Sequence, residues 1–389
     1  MLSPRGSVGT VVGALIAIAA AMGLGRFAFT QLLPPMVAQL HLSPIAASWL
    51  AAANFAGYLL GALAAAALCA RLNQRRVAIA GISALTVTLA LTPLSGALSW
   101  LALTRFAAGA ESAVVFVSVG VLVFETMRRT TAMIAFGGVG VGIFLSAAIL
   151  TPIVARGPWQ RGWYAVAAAG VAATIVAVAL IPRVASRVTS GIAVPRGAAL
   201  RYVDAAYFLQ GVGYIVFATF AVLYLVERGD AHGVAAGAWL AVGAGAAFGP
   251  WLSGVVAART GTRAALVGFH LLEAAATVAF ATAPAPFAIV AAFIFGATFP
   301  TAAPLCTAMY VDLAPEEGAR GLGWLTFVFA IGQIVGPLIA GPVAQRTGDF
   351  RLPLLLSAAA LVIASLLAAA ARRPHAAGPS QRPCEASAR

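Results

Sequence analysis

Twelve long apolar segments constrain the fold of this chain more than any other feature of its sequence. They lie at roughly residues 9–37, 45–70, 77–94, 97–124, 132–154, 162–182, 202–227, 233–257, 263–283, 286–311, 322–345 and 351–371. Each can cross a bilayer, which takes about 20 apolar residues in a helix. Backbone N–H and C=O groups find no water in hydrocarbon, so each segment is predicted to be helical. The segments also lack the polar–apolar alternation of a membrane barrel.

The composition excludes a water-soluble globular protein. Of 389 residues, 62% are hydrophobic and 9% are charged, whereas soluble domains have about 25% charged residues. The net charge of +13 comes from arginines that stand singly or in pairs between apolar segments. They form no basic face, so we expect no binding to nucleic acid. Cys69, Cys306 and Cys384 have no metal-site or disulfide spacing, and we expect no cofactor, no metal and no cleavable signal peptide.

The loop arginines predict the orientation of the chain. With the N-terminus in the cytoplasm, 17 loop arginines face the cytoplasm and 5 face the outside. Because cytoplasmic loops are enriched in positive charge, this bias predicts that both termini are cytoplasmic. The remaining two arginines, Arg26 and Arg105, lie inside predicted spans.

The two halves of the chain resemble each other at a nearly constant shift. Gly61 is repeated at Gly249, 188 residues later, and Gly23 and Gly25 are repeated at the same shift in the seventh segment. Such a parallel repeat indicates two bundles related by an axis along the membrane normal. We therefore expect a six-helix bundle over residues 1–182, a cytoplasmic linker over 183–200, a second bundle over 201–371, and a disordered tail over 372–389.

Several motifs resemble those of the major facilitator superfamily. The fourth segment carries Arg105 and Gly109 in an R-x-x-x-G pattern, and the fifth and eleventh carry glycine-rich runs at 137–142 and 332–342. Between segments eight and nine, Gly254, Arg259, Gly261 and Arg263 match the superfamily's loop motif, although its aspartate is Ala258 here. The resemblance covers essentially the whole chain and implies a fold of twelve helices in two pseudo-symmetric bundles.

The first two segments narrow the resemblance. Residues 25–30 (GRFAFT), 32–34 (LLP) and 51–61 (AAANFAGYLLG) are similar to the YbfB/YjiJ family of major facilitator transporters. This resemblance implies a multi-pass permease of the bacterial inner membrane and names no substrate.

Arg26 and Arg105 are the strongest candidates for a binding site. A charge near the bilayer centre costs about 2.5–3.5 kcal/mol, so a buried arginine persists only beside water, a partner or a ligand. A guanidinium binds a carboxylate through two parallel hydrogen bonds, which favours an organic anion as substrate. Alternatively, either arginine pairs with Glu111 or with a helix carbonyl and stabilises the first bundle.

Polar residues on segments two, seven and eleven complete the predicted substrate site, since the resemblance implies that these helices line the cavity. Tyrosine and amide side chains orient ligands in apolar pockets. The residues are Asn54, Tyr58, Tyr207, Gln210, Tyr214 and Gln333. Asn54 is equally suited to a hydrogen bond between helices.

Three further polar residues lie within spans. Glu111 points away from Arg105, because six residues rotate a helix by about 240°, and we expect it to carry a coupled proton or to form a static pair with Arg26. His270 and Glu273 share one helix face and are expected to contact lipid headgroups or a neighbouring helix.

Charged residues at the cytoplasmic ends of the helices are predicted to form a gate between the halves. They are Arg71, Arg75, Glu125, Arg259, Arg263 and Asp312. Exposed pairs contribute only about 0–1 kcal/mol each, so several must act together.

These features predict a monomeric secondary transporter rather than an enzyme. It is expected to carry a small organic anion, coupled to protons, by rocker-switch alternating access. An exporter of amphipathic compounds is the alternative, and a multispan membrane enzyme is a lesser one, since the four histidines are scattered. A channel is disfavoured because no re-entrant filter or charged ring is visible.

Overall fold

The structure, a computed structural model, describes residues 8–127, 129–155, 157–183, 197–314 and 318–372. Within these residues it has twelve helices that are long and apolar enough to cross a membrane. They are α1 Val8–Leu40, α2 Pro44–Arg71, α3 Gln74–Leu94, α4 Leu98–Thr126, α5 Thr131–Val154, α6 Trp159–Leu180, α7 Ala198–Glu227, α8 His232–Thr260, α9 Thr262–Thr282, α10 Ala285–Leu313, α11 Gly323–Thr347 and α12 Arg351–Ala370. The prediction of an all-α protein with twelve spans is confirmed. Residues 184–196 of the predicted linker and 373–389 of the predicted tail lie outside the described residues.

Short connections with defined caps join consecutive helices. His41 has a left-handed backbone (φ 51°) and ends α1. Ser43 then caps α2, accepting a hydrogen bond from the Ala46 amide, with Pro44 at the first helical position. Gly261, at φ 85°, separates α8 from α9. Such tight turns leave sequential helices antiparallel, as membrane crossing requires.

The helices pack as two groups of six. In the first group α4 packs on α2 and α3, and α3 packs on α6; in the second, α8 packs on α10 and α7 on α12. The groups, called here the first and second halves, meet along α2 and α11, along α5 and α8, and along α1 and α7. Residues Ala28–Leu40 of α1 contact α7, so side chains of both helices face the junction between the halves.

Helix α1 is not regular throughout. Residues Ala20–Phe27 form a π-helical segment, in which the Ala28 amide bonds to the carbonyl of Gly23, five residues earlier. Single π turns inside α-helices are rare and are often found at functional sites. This segment contains Arg26, so the irregular backbone and the buried charge coincide.

Glycines bring α2 and α4 into backbone contact. A Cβ at Gly109 would lie 1.9 Å from the carbonyl oxygen of Asn54, and one at Gly57 would lie 1.9 Å from that of Phe106. No side chain fits at either position, which explains the glycine of the R-x-x-x-G pattern by close packing of helices.

Candidate functional site

Arg26 lies at the junction of the two halves and is 5% exposed. Its guanidinium carbon is 4.2 Å from the ring centre of Tyr58 and 5.0 Å from that of Phe55, both on α2. The Nε and Nη2 atoms are buried and have no hydrogen-bond partner. Among the described residues, no carboxylate forms an ion pair with Arg26 within 4.0 Å. The arrangement leaves a buried cation with unused donors.

Arg105 is held by the backbone of α1. Its Nη1 donates to the carbonyl of Gly25 (3.0 Å) and its Nη2 to that of Arg26 (3.4 Å). The guanidinium also lies 4.6 Å from the ring centre of Phe29 and 5.6 Å from that of Trp163. The structure thus has Arg105 paired with helix carbonyls, which was the alternative considered for it. Its contact with substrate stays a prediction.

The two buried arginines are neighbours, since the guanidinium of Arg105 contacts the backbone carbonyl of Arg26. Arg105 already donates two of its nitrogens to the π-helical backbone and keeps only Nε unpaired, whereas Arg26 keeps both Nε and Nη2 for another partner. An anion between the halves would satisfy these unmet hydrogen bonds.

A stack of parallel rings from the second half faces Arg26. Tyr214 on α7 lies between Phe299 on α10 and Phe329 on α11, with both ring-centre distances 5.4 Å and interplanar angles of 3° and 4°. Tyr207 continues the stack, 4.3 Å from Phe329. From the first half, Phe27 meets Phe299 edge-on at 6.2 Å. The site therefore has flat apolar walls contributed by both halves.

Polar groups mark one end of this stack. The guanidinium of Arg26 lies close to the hydroxyl groups of both Tyr58 and Tyr214. The amide of Gln333 donates to the Tyr214 hydroxyl, while its own oxygen is buried without a partner. Five of the eight predicted substrate-binding residues thus surround one centre. They are Arg26, Tyr58, Tyr207, Tyr214 and Gln333, and their contact with a ligand stays a prediction.

Asn54 lies elsewhere, between α2 and α4. Its Nδ2 donates to the carbonyl of Arg105 (2.8 Å), and the side chain is fully buried. The geometry favours the interhelical hydrogen bond that was considered for Asn54 alongside ligand binding.

Gln210 points into the second half, towards α9. Its Nε2 donates to both carboxylate oxygens of Glu273, at 3.2 and 2.9 Å. Glu273 and His270 are both buried, and both ring nitrogens of His270 lack partners. Contact with a neighbouring helix, one of the two expectations for this pair, is observed for Glu273, and contact with headgroups stays a prediction.

Glu111 faces α3 rather than Arg26. Its Oε1 accepts a hydrogen bond from Thr88 (2.9 Å), and its Oε2 is buried without a partner. The static pair with Arg26 that was considered for Glu111 is not formed in this structure. Its role as a proton carrier stays a prediction.

The predicted gate residues lie at the face where α1 begins. Arg71, Glu125, Arg259, Arg263 and Asp312 are exposed there, and Arg263 and Asp312 line one pocket of about 540 Å³. Arg75 instead donates to the carbonyls of Val178 and Ile181 at the end of α6, both at 2.6 Å. Arg75 is thus engaged within the first half in this state, and the gate as a whole stays a prediction.

A larger cavity of about 940 Å³ opens at the opposite face, between the halves. Residues from α1, α5, α7 and α8 line it. Among the lining residues of α1, Gln31 is nearest in sequence to Arg26. Gln31 follows Arg26 by five residues, about 7.5 Å along a helix. Thr30 donates to the carbonyl of Ala218 (2.6 Å), a hydrogen bond between the halves just above Arg26.

Several residues of the site were missed in the sequence. Phe299, Phe329 and Phe55 look like ordinary apolar positions, and only the three-dimensional stack distinguishes them. Asp204 accepts hydrogen bonds from Tyr310 and Trp324 and joins α7 to α10 and α11. No local sequence pattern predicts that Asp204 lies near tyrosine and tryptophan donors on other helices.

Twelve membrane-crossing helices in two repeated halves, with a polar centre where the halves meet, define a transport protein of the major facilitator type. The chain belongs to the family described as "Uncharacterised MFS-type transporter YbfB", whose family model matches residues 18–369. The prediction made from the first two segments is thereby confirmed. No curated protein sequence matches the chain.

Solved transporter structures share the fold. A bacterial homologue of the human lysosomal transporter Spinster, inward-facing and occupied, matches with a TM-score of 0.72 at 17% identity, covering 94% of this chain and 97% of that one. Its unoccupied inward-facing form matches at 0.70 and 19% identity, over 94% and 98% of the two chains. A point mutant of the nucleoside transporter NupG matches at 0.75 and 11% identity, over 92% and 99%. At these identities the likeness is one of fold.

Proposed function

We propose that this chain is a secondary active transporter that carries a small organic anion across the bacterial inner membrane. The observation that carries the proposal is the guanidinium of Arg26, buried where the halves meet, with two unpaired donor nitrogens and no carboxylate among the described residues within 4.0 Å. A buried cation of this kind is destabilising until an anion binds it. Binding of the anion then stabilises the state in which both halves contact it.

Alternating access follows from where the site is placed. Arg26 and Tyr58 belong to the first half, whereas Tyr214 and Gln333 belong to the second, so rocking of the halves changes the site from both sides. Along α5 and α8, Gly140 and Gly243 allow backbone contact with Ala247 and Phe144. Such glycine contacts let helices pivot without displacing large side chains. The cavity above Gln31 is the proposed outer approach, with the termini in the cytoplasm.

The exposed charges at the α1-start face supply the proposed cytoplasmic gate. Arg71 and Glu125 of the first half, and Arg259, Arg263 and Asp312 of the second, can pair across the junction in one state and separate in the other. Because single surface pairs contribute about 0–1 kcal/mol, the gate biases the equilibrium only as a group.

Proton coupling is proposed through carboxyl groups inside the spans. Glu111 is the carrier expected from the sequence, and Glu273 is a second candidate that the geometry favours. Glu273 is fully buried and bonds to Gln210 on α7, the helix that also carries Tyr214. Loss or gain of a proton at Glu273 would therefore change the hydrogen bond that fixes α7.

An exporter of amphipathic compounds is the alternative function. The aromatic stack of Tyr207, Tyr214, Phe299 and Phe329 favours it, because flat rings bind many apolar compounds. The uncompensated charge of Arg26 disfavours the cationic members of this class. A multispan enzyme remains the lesser alternative, and no observation favours it.

Ligand-induced stabilisation separates these functions. The purified protein in detergent is heated with organic acids (acetate, succinate, benzoate) or with amphipathic cations (ethidium, tetraphenylphosphonium). We expect stabilisation by an acid in the native protein and its loss in Arg26→Gln. Arg346→Gln, which removes an exposed arginine, is the matched control. Stabilisation by the cations alone, unchanged in Arg26→Gln, would contradict anion transport and support the exporter.

A further inference from the structure

The free edge of the Arg26 guanidinium has a particular shape. Its unpaired atoms are Nε and Nη2, whose N–H bonds run parallel on one side of the group. Two parallel donors match the two oxygens of one carboxylate, and this side-on geometry is a strong form of charge-assisted hydrogen bonding. From this edge and its surroundings we propose that the site takes a flat aromatic monocarboxylate; the inference rests on the proposed transport of an organic anion.

The free pair of donors on Arg26 can bind one carboxylate. Arg105, the other buried arginine, already donates to the carbonyls of Gly25 and Arg26. The chain has no lysine, and its remaining arginines lie outside the apolar segments. Arg105 keeps one unpaired donor, Nε, so a second carboxylate would be buried with most of its oxygen lone pairs unsatisfied, which is strongly unfavourable. A ligand without a carboxylate would leave the Arg26 donors unsatisfied, so the arrangement of free donors favours a ligand with one carboxylate.

The walls of the site select a flat apolar body. Tyr58 lies under the guanidinium at 4.2 Å, and the parallel rings of Tyr214, Phe299 and Phe329 stand on the side of the second half. An aromatic ring whose carboxylate is bound by Arg26 would contact these rings in offset-stacked or edge-on geometry, which aromatic pairs prefer. A puckered saturated ring of similar size cannot stack in this way.

An acceptor remains for a substituent on the ligand's ring. The Oε1 atom of Gln333 is buried without a partner, and the amide of the same side chain is bonded to Tyr214. This oxygen can accept a hydrogen bond from a ring hydroxyl. Hydroxylated aromatic acids are therefore included in the proposed substrate class.

Equilibrium binding of radiolabelled benzoate to the purified protein tests the inference, with unlabelled acids as competitors. We expect cyclohexanecarboxylate to compete roughly 3- to 10-fold more weakly than benzoate, because it cannot stack. We expect terephthalate, whose second carboxylate is unmatched, to compete at least about 10-fold more weakly. Benzamide, with the ring but no charge, should not compete at equal concentration.

Substitutions test which residues are responsible for the preference for an aromatic carboxylate. Arg26→Lys keeps the charge but loses the side-on pair of donors, and we expect it to bind benzoate roughly 10- to 100-fold more weakly. Phe329→Leu should bring benzoate and cyclohexanecarboxylate to nearly equal affinity, whereas Phe287→Leu, which alters an exposed ring, should preserve the difference. Monodisperse elution of each variant in size-exclusion chromatography verifies that it is folded.

Different outcomes would contradict the aromatic substrate class and the proposed transport of an organic anion. Acetate or succinate binding as tightly as benzoate would overturn the aromatic class and leave organic-anion transport in place. Unchanged benzoate affinity in Arg26→Lys would overturn the assignment of the carboxylate to Arg26. Binding of no carboxylate in either assay, while another ligand class stabilises the protein, would overturn the proposed function itself.

Discussion

Arg26 and Tyr214 occupy equivalent positions in the two repeats, 188 residues apart, and their side chains meet at the centre of the molecule. Each lies one residue after the second glycine of the repeated pair, Gly25 in α1 and Gly213 in α7. The duplicated helix thus supplies a cation from one half and a hydroxyl from the other. Because of this difference, the two related sides of the junction are not chemically equivalent, and the charge lies on the side of the first half.

Replacing Tyr214 with phenylalanine should destabilise the protein while keeping the aromatic stack. The ring would keep its stacking between Phe299 and Phe329, but the amide of Gln333 would lose its partner. A buried polar group left unpaired costs about 1–3 kcal/mol, so we expect a lower unfolding temperature in detergent. Gln333→Leu in the same background should recover part of the loss; no recovery would show that the two residues are not coupled.

Replacing Arg105 with glutamine should destabilise the first half. Two charge-assisted hydrogen bonds to the π-helical carbonyls of α1 would be lost, each contributing about 1.5–3 kcal/mol. We expect a clear fall in unfolding temperature, together with weaker anion binding, because Arg26 loses its fixed backbone. Normal stability with abolished binding would instead identify Arg105 as a direct ligand of the substrate.

The twelve helices were predictable because their signal is local and strong. A run of apolar residues long enough to span hydrocarbon has few alternatives to a helix, and its ends coincide with arginines and loop residues. The positions of the observed helices therefore agree with the predicted segments to within several residues.

The direction of individual side chains was less predictable, as Gln210 illustrates. Tyr207, Gln210 and Tyr214 lie on neighbouring parts of the α7 surface, so helical geometry alone suggested one common lining face. Helix α7 is buried nearly all round, however, and its apolar pattern does not indicate which side faces the junction. Only the packing of α9 reveals that Gln210 reaches Glu273. The π-helical segment of α1 likewise shifts the helix register in a way that spacing rules do not include.

Replacing Gly109 with alanine should damage the contact between α2 and α4. The added Cβ would lie 1.9 Å from the carbonyl oxygen of Asn54, and backbone cannot yield as a flexible side chain does. Overpacking of this kind costs about 1–3 kcal/mol, which should appear as a lower unfolding temperature or poor yield. Gly268→Ala is the matched control, since no atom lies within 4 Å of its added Cβ. Equal effects of the two substitutions would contradict the packing argument.

Replacing Glu273 with glutamine should separate substrate movement from proton movement. Glutamine keeps the size of the side chain and a hydrogen bond to Gln210 but cannot bind or release a proton. A one-unit pH gradient is worth about 1.4 kcal/mol, or about tenfold accumulation for each coupled proton. In proteoliposomes we expect native protein to respond to the gradient and Glu273→Gln to lose that response while retaining substrate counterflow. Glu111→Gln, measured in parallel, keeps an acceptor for Thr88 and tests the other carboxyl group. A gradient response that survives in both variants would contradict coupling through either residue. A response lost only in Glu111→Gln would assign proton coupling to Glu111 in the first half.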